Sequence, residues 1–193
     1  MLSQALRELG RYEEAADTAH RILMLEPKNY DALMAASKAH IEGNKAFYSI
    51  ELLHLAQDIR PDDWHSYSLL GVALDQVKRP EEAQAAWATA LKLSPNNPVV
   101  LANMAMAFTL KGSYAEAETL LRQAVAQKEA GIQIRQDLAL ILALENKMSE
   151  AEQLMRRDLP PEAVDANLKW LAELKNPNSV ITPHNWGSLK NGS

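Results

Sequence analysis

The 193-residue sequence contains no cysteine. That absence excludes disulfides, thiolate metal sites and any lipid carried on a cysteine within this sequence. Phenylalanine is nearly missing as well, with two residues, and the whole chain holds only seven glycines and nine prolines. So few breakers, set against 47% hydrophobic residues and placed mostly between helical segments, favour an all-helical globular class over disorder. No long basic run occurs, and the formal net charge is −5 with a pI near 5.6. The electrostatic basis for capturing nucleic acid or an anionic membrane surface is therefore lacking. The longest unbroken apolar stretch, residues 138–144, falls far below the ~20 residues a membrane-spanning helix needs. Nor does the amino terminus have the character of a signal peptide, since Arg7, Glu8, Arg11, Glu13 and Glu14 interrupt it early.

What the sequence does have is a period. Pro27, Pro61 and Pro95 stand at equal intervals. The clearest unit spans residues 64–95, where Tyr67, Leu70, Gly71 and Leu74 mark one helix and Ala83, Trp87 and Ala90 mark a second, closed by Pro95. Ala83, Trp87 and Ala90 share one helix face. Two antiparallel helices approach closely where Gly71, Ala83 and Ala90 keep the contact free of bulk, while Trp87 and Leu74 fill the space around them. The run Gly10, Tyr12, Glu14, Ala15 recurs as Gly112, Tyr114, Glu116, Ala117, a turn followed by an aromatic and Glu-Ala at the start of a helix. This pattern resembles the tetratricopeptide repeat (TPR), a helix-turn-helix of about 34 residues whose length equals the proline interval. The resemblance implies an all-α superhelical solenoid of about five repeats with a C-terminal capping helix. A generic bundle with accidental spacing is the alternative, and three prolines in strict register argue against it.

Read in order, residues 1–158 are repeats, the first of them truncated. Residues 2–9 form only the end of a first helix and residues 12–25 its partner, so the expectation is that Met1 is not the natural start or that a targeting segment precedes it. In the second unit Ser37 and Ser49 replace the expected Gly or Ala, and His40 replaces the aromatic. Asp62 and Asp63 are N-cap candidates, Pro80 fits a first helical turn, and Asn97-Pro98 reads as a cap followed by Pro at the first helical position. The fourth unit keeps Phe108, Ala117 and Ala124 on buried faces. The fifth places Leu138, Ala139 and Leu142 in one helix and Ala151 and Met155 in the next. Residues 159–175 supply the capping helix, with Val164, Leu168, Leu171 and Leu174 on one stripe and Lys169, Glu173 and Lys175 on its polar side. Residues 176–193 have no period and read as a tail, in which Trp186 is the residue suited to dock.

No constellation for catalysis emerges, and no cofactor is implied. His20, His40, His54, His65 and His184 form no HExxH or other i, i+4 pair, and are read as helix-surface or turn residues. Glu13-Glu14 and Glu81-Glu82 sit at helix starts, where the macrodipole favours negative charge over any acid–base role. Gly10, Gly43, Gly71 and Gly112 occupy repeat positions and not a phosphate-binding loop. The Asn191 sequon lies at the end of the tail.

What remains is a surface. In TPR proteins the first helix of each pair lines a concave groove, and projecting the repeat onto this chain places Met34, Lys38, Leu69, Val72, Val99, Asn103, Met106, Leu110 and Leu140 along it. The strip is largely apolar, and only Lys38 and Asn103 could join a carboxylate clamp of the kind that grips chaperone C-termini. The expected occupant is a protein or peptide partner, an amphipathic helix or extended segment, with Met34 and Met106 adapting to its shape. The competing expectation is that these side chains pack against neighbouring helices or the C-terminal segment. A narrower resemblance lies in Asn146-Lys-Met-Ser-Glu-Ala-Glu, then residues 157–167, then Trp170-Leu171. These resemble the end of the TadD-type TPR proteins of tight adherence (Flp) pilus assembly, bacterial lipoproteins of the outer membrane implicated in assembling or localising the pilus secretin. The resemblance implies a non-catalytic, pilotin-like scaffold in the periplasm, associated with the outer membrane, with the pilus secretin as a candidate partner and no nucleic acid. The sequence departs from that family in having no lipobox, so a membrane would be reached only through a lipid anchor absent here. A generic cytoplasmic TPR adaptor or self-associating module is the alternative.

Overall fold

The computed structural model describes residues 2–174. The tail at 176–193, with Trp186, His184 and the Asn191 sequon, lies outside the described residues, as does Lys175. Among the described residues there are eleven α-helices and no strand. They are α1 (Leu2–Glu8), α2 (Tyr12–Leu25), α3 (Tyr30–Glu42), α4 (Ser49–Ile59), α5 (Trp64–Gln76), α6 (Pro80–Leu93), α7 (Pro98–Leu110), α8 (Tyr114–Val125), α9 (Ile132–Leu144), α10 (Met148–Asp158) and α11 (Pro161–Leu174). A 3-10 turn, Ala46–Tyr48, precedes α4. Successive helices pair as hairpins, and the hairpins fall into two compact units that part between Pro95 and Asn96, here unit 1 and unit 2.

The repeat period is written into the backbone. Gly10, Asn44, Lys78, Gly112 and Asn146 all have positive φ, and each stands one full period from the next. Each ends the turn inside a hairpin, where a left-handed residue stops the first helix and aims the chain back along it. Glycine and asparagine take that conformation readily. Lys78 is the one place in the series where a bulky side chain is forced into it. Between hairpins the same period sets the caps: Asn29 accepts from the Ala32 amide, Asp63 from that of His65 and Asn97 from those of Val99 and Val100. Each satisfies amide groups that the first helical turn leaves unpaired. Pro80 and Pro98 stand at the first positions of α6 and α7, where a missing amide hydrogen costs nothing.

Packing repeats on the same step. Ser3, Ser37, Gly71, Ala105 and Ala139, the small residues of the first helices, are all buried, as are Ala15, Ser49, Ala83, Ala117 and Ala151 of the second helices. The two serines of the second hairpin lose no hydrogen bond on burial, because Ser37 donates to the Leu33 carbonyl and Ser49 to that of Ala46. The tightest approach is at Gly71, where an added Cβ would lie 2.3 Å from Nε1 of Trp87. The indole, 3% exposed, donates from that nitrogen to the Ser68 carbonyl at 3.1 Å. In unit 1 the Tyr30 hydroxyl also donates to Asp63 at 2.8 Å, with the Arg60 guanidinium over the Tyr30 ring, which ties the start of α3 to the cap of α5.

In unit 2, α8 and α10 are clasped by ions. Lys147 reaches Glu118 at 2.5 Å and Glu145 at 3.0 Å, while Arg122 reaches Glu118 and Glu150, each at 2.7 Å. Lys147, then Glu145 and Arg122, hold the Glu118 carboxyl down at about 2 against the opposing effect of burial. Arg135 of α9 forks onto Asp158 at the end of α10 through Nε at 2.6 Å and Nη2 at 2.9 Å. Phe108 is half-buried where the sequence predicts it inside, and Ala105 and Ala107 carry the burial on α7 instead. The last helix opens at Pro161, after Leu159 in extended conformation, with Val164 and Leu171 buried and Leu168 half-buried.

Candidate functional site: the open face of the first helices

In unit 2 α8 packs along α7, and the residues of α7 differ in exposure from one face to the other. Residues 99, 103, 106 and 110 of α7 share a face, since they recur at i, i+4, i+7 and i+11. Val99 is 47% exposed, Met106 41% and Leu110 77%, whereas Leu101 and Ala105 on the far side are buried. Asn103 is half-buried within the strip. On α9, one repeat on, the same register positions carry Gln133, Asp137 and Leu140, the last two half-buried. Ile132, at the start of α9, is exposed as well.

Unit 1 presents a more closed version. Lys38 on α3, and Leu69 and Val72 on α5, are half-buried. Met34 is 7% exposed and Ile41 5%, so both belong to the packing of α3 against its neighbours and offer little to a partner. Met34 drops out of the surface because it stands at the register of Ser68 and Gln136, which are buried in their own hairpins as well. The nine projected residues thus divide into Met34, Lys38, Leu69 and Val72 in unit 1 and Val99, Asn103, Met106, Leu110 and Leu140 in unit 2.

Asp137 gives the unit 2 face its electrostatic character. Burial pushes its carboxyl above the ordinary Asp range, and the Gln133 amide, donating at 3.0 Å, only partly opposes that. Gln136 beside it is buried at 2% exposure. A carboxylate thus shares this face with Val99, Met106, Leu110 and Leu140, a combination suited to a partner that brings hydrocarbon and a cation together.

The acidic pairs at helix starts are occupied by ion pairs: Glu13 with Lys45, Glu14 with Arg11 and Glu82 with Arg79, each at 2.5 Å. Among the described residues no three metal-ligating side chains converge. No described helix is long and apolar enough to cross a membrane. One contact follows from no linear motif: His20 and His40, expected as helix-surface or turn residues, meet Nε2 to Nε2 at 3.0 Å. They lie 20 residues apart on α2 and α3, a spacing that belongs to no linear motif.

Residues 1–47 and 76–130 each match a family model described as Tetratricopeptide repeat. The chain carries tetratricopeptide repeats. Solved counterparts of the tetratricopeptide hairpins include the following. TTC0263, a thermophilic TPR protein of Thermus thermophilus, is 19% identical with a TM-score of 0.74 over 89% of this chain and 95% of that one. MamA is 18% identical with a TM-score of 0.56 over 86% of this chain and 98% of its own. Pseudomonas aeruginosa PilF is 18% identical with a TM-score of 0.62 over 90% of this chain and 81% of its own. At these identities the likeness establishes the fold alone. No curated protein matches the sequence.

Proposed function

We propose that this tetratricopeptide chain is a non-catalytic scaffold that holds a partner polypeptide on the open face of its first helices, with α7 and α9 supplying the main contact. The carrying observation is the strip of Val99, Met106 and Leu110, large apolar side chains exposed on one face of one helix. Contiguous apolar exposure of that kind marks interaction surfaces. Asp137 narrows the chemistry. Its desolvated carboxylate regains stabilisation when a cation docks beside it, so the partner segment carries apolar residues and a Lys or Arg among them. Met106, unbranched and polarisable, accommodates their shape.

The biological setting rests on the resemblance of residues 146–171 to the end of TadD-type proteins. On that resemblance the partner is the secretin of an Flp pilus, the role is pilotin-like, and the location is the periplasm at the outer membrane. The likeness to PilF supports the fold this reading requires and goes no further.

Peptide-display selection against the full chain tests the chemistry. The enriched peptides are expected to combine apolar residues on one helical face, or in one extended run, with a basic residue. Met106→Glu should weaken them roughly tenfold to a hundredfold, because burying a carboxylate against hydrocarbon costs a few kcal/mol. Asp137→Asn should remove the basic preference and leave the apolar one. Peptides that bind Met106→Glu as well as the parent chain would rule out the face.

A further inference from the structure

His40 stands at a place in the repeat that the other hairpins fill with hydrocarbon. Taken one period at a time, the series is Leu6, His40, Leu74, Phe108 and Leu142. Leu6, Leu74 and Leu142 are buried, and His40 is half-buried in the same position of the second hairpin. Its Nε2 lies 3.0 Å from Nε2 of His20, which comes from α2 in the first hairpin. On the other side the Tyr48 ring lies 5.7 Å from it, centroid to centroid. An ionisable ring has therefore replaced an apolar core residue at one junction of the stack, and it is matched there by a second ionisable ring.

Two ring nitrogens at this distance need one hydrogen between them, donated by one imidazole and accepted by the other. A first added proton preserves the bond, since an imidazolium donates to a neutral ring at least as well. A second places two N–H groups face to face with no acceptor, and two like charges in contact. The charged groups bordering the pair do not remove this conflict. Lys45, just beyond α3, adds positive charge, while Asp17, one turn before His20 on α2, opposes it. Glu13 is bound to Lys45 and Glu14 to Arg11, and Arg21 borders the cavity that His20 lines.

We propose that the His20–His40 contact is an acid-sensitive latch between the first and second hairpins: protonation of both rings parts α2 from α3 and releases α1 and α2 while the other hairpins hold. Burial, then the His20 and Lys45 charges, keep His40 below the ordinary histidine value of 6.5, and Asp17 only partly restores it. A histidine lowered in the folded state contributes its full stability above 6.5, and that stability drains away as the pH falls from there through the folded value. Opening uncovers the apolar contact of Leu6, Ala15, Ala16 and Ala39.

Hydrogen exchange on the full chain at pH 7 and pH 5, corrected for the intrinsic pH dependence of exchange, reads the latch directly. Protection of α2 amides should fall at least tenfold relative to those of α6. His40→Leu gives the second hairpin the residue carried by the first, third and fifth, and should abolish the fall. His20→Gln leaves α3 untouched and removes the second charge, so it should cut the fall back severalfold. Unchanged α2 protection between the two pH values overturns the proposal. So does an acid response in His20→Gln as large as that of the parent chain.

Discussion

Gly71 and Trp87 offer a quantitative test of why the hairpins fit. At the corresponding places the fourth hairpin has Ala105 and Leu121, and the fifth has Ala139 and Met155, all buried. The smallest residue of the first helices thus stands at the register of the largest residue of the second. Gly71→Ala would set a methyl group 2.3–2.5 Å from three atoms of the indole. Overpacking of that kind costs about 1–3 kcal/mol, here at the upper end because the ring is enclosed. Pushing the ring off the Ser68 carbonyl loses about 1 kcal/mol more. Alanine returns about 1 kcal/mol of helix propensity. The net expectation is a loss of about 3 kcal/mol. Trp87→Leu alone should cost about 2–4 kcal/mol through the space it leaves. The double variant rebuilds the Ala–Leu pair of the fourth hairpin and should be no less stable than Trp87→Leu alone, a coupling of about 3 kcal/mol. Urea unfolding followed by far-ultraviolet circular dichroism measures all four proteins. Additivity of the two single changes to within about 0.5 kcal/mol, the behaviour of sites that do not touch, would refute the packing argument.

Other expectations follow from the same geometry. Lys78→Gly should stabilise unit 1 by about 0.5–1 kcal/mol, since the residue is held at φ 63° and glycine meets no steric resistance there; a loss of thermal stability would mean the Lys78 side chain supports the turn. Asn97→Ala should cost about 1 kcal/mol by freeing the Val99 and Val100 amides, measurable as a lower urea midpoint, whereas a change at Gly131, which caps nothing with a side chain, should show no such loss. Acid should act on the two units in different ranges. Glu118 is depressed to about 2, so the stability of the α8–α10 clasp is complete above the ordinary 4.5 and is lost only as the pH falls from there toward 2. Exchange of α8 amides should stay unchanged at pH 5, and a loss of protection there would show that the clasp contributes less than its geometry implies.

The period is legible in the sequence because residues with narrow structural uses carry it. Three prolines in register, Gly10 and Gly112 in turns, and alanines at close contacts each announce one backbone solution. The same turn at Asn44, Lys78 and Asn146 is less visible, lysine least of all, because a left-handed lysine is imposed by the turns around it and not by its own preference. Asn29 does not stand out as a cap for want of a following proline, although its side chain does the work of Asn97. The candidate face is readable only as a projection. The period sets Met34 at the register of Ser68 and Gln136, a buried row, and Met106 at that of Lys38 and Val72, a more open one, and the two methionines are accordingly 7% and 41% exposed. The histidine contact depends on two helices meeting across hairpins, and no linear spacing encodes it.

On the proposed function a partner occupies the open side of α7 and not the back of its hairpin. Photo-crosslinking decides it, with a benzophenone amino acid placed at position 106 and, in a second protein, at the exposed Thr119 on α8. In native cells the same adduct should form strongly from position 106 and weakly or not at all from position 119. Adducts from position 119 with none from position 106 would contradict the account.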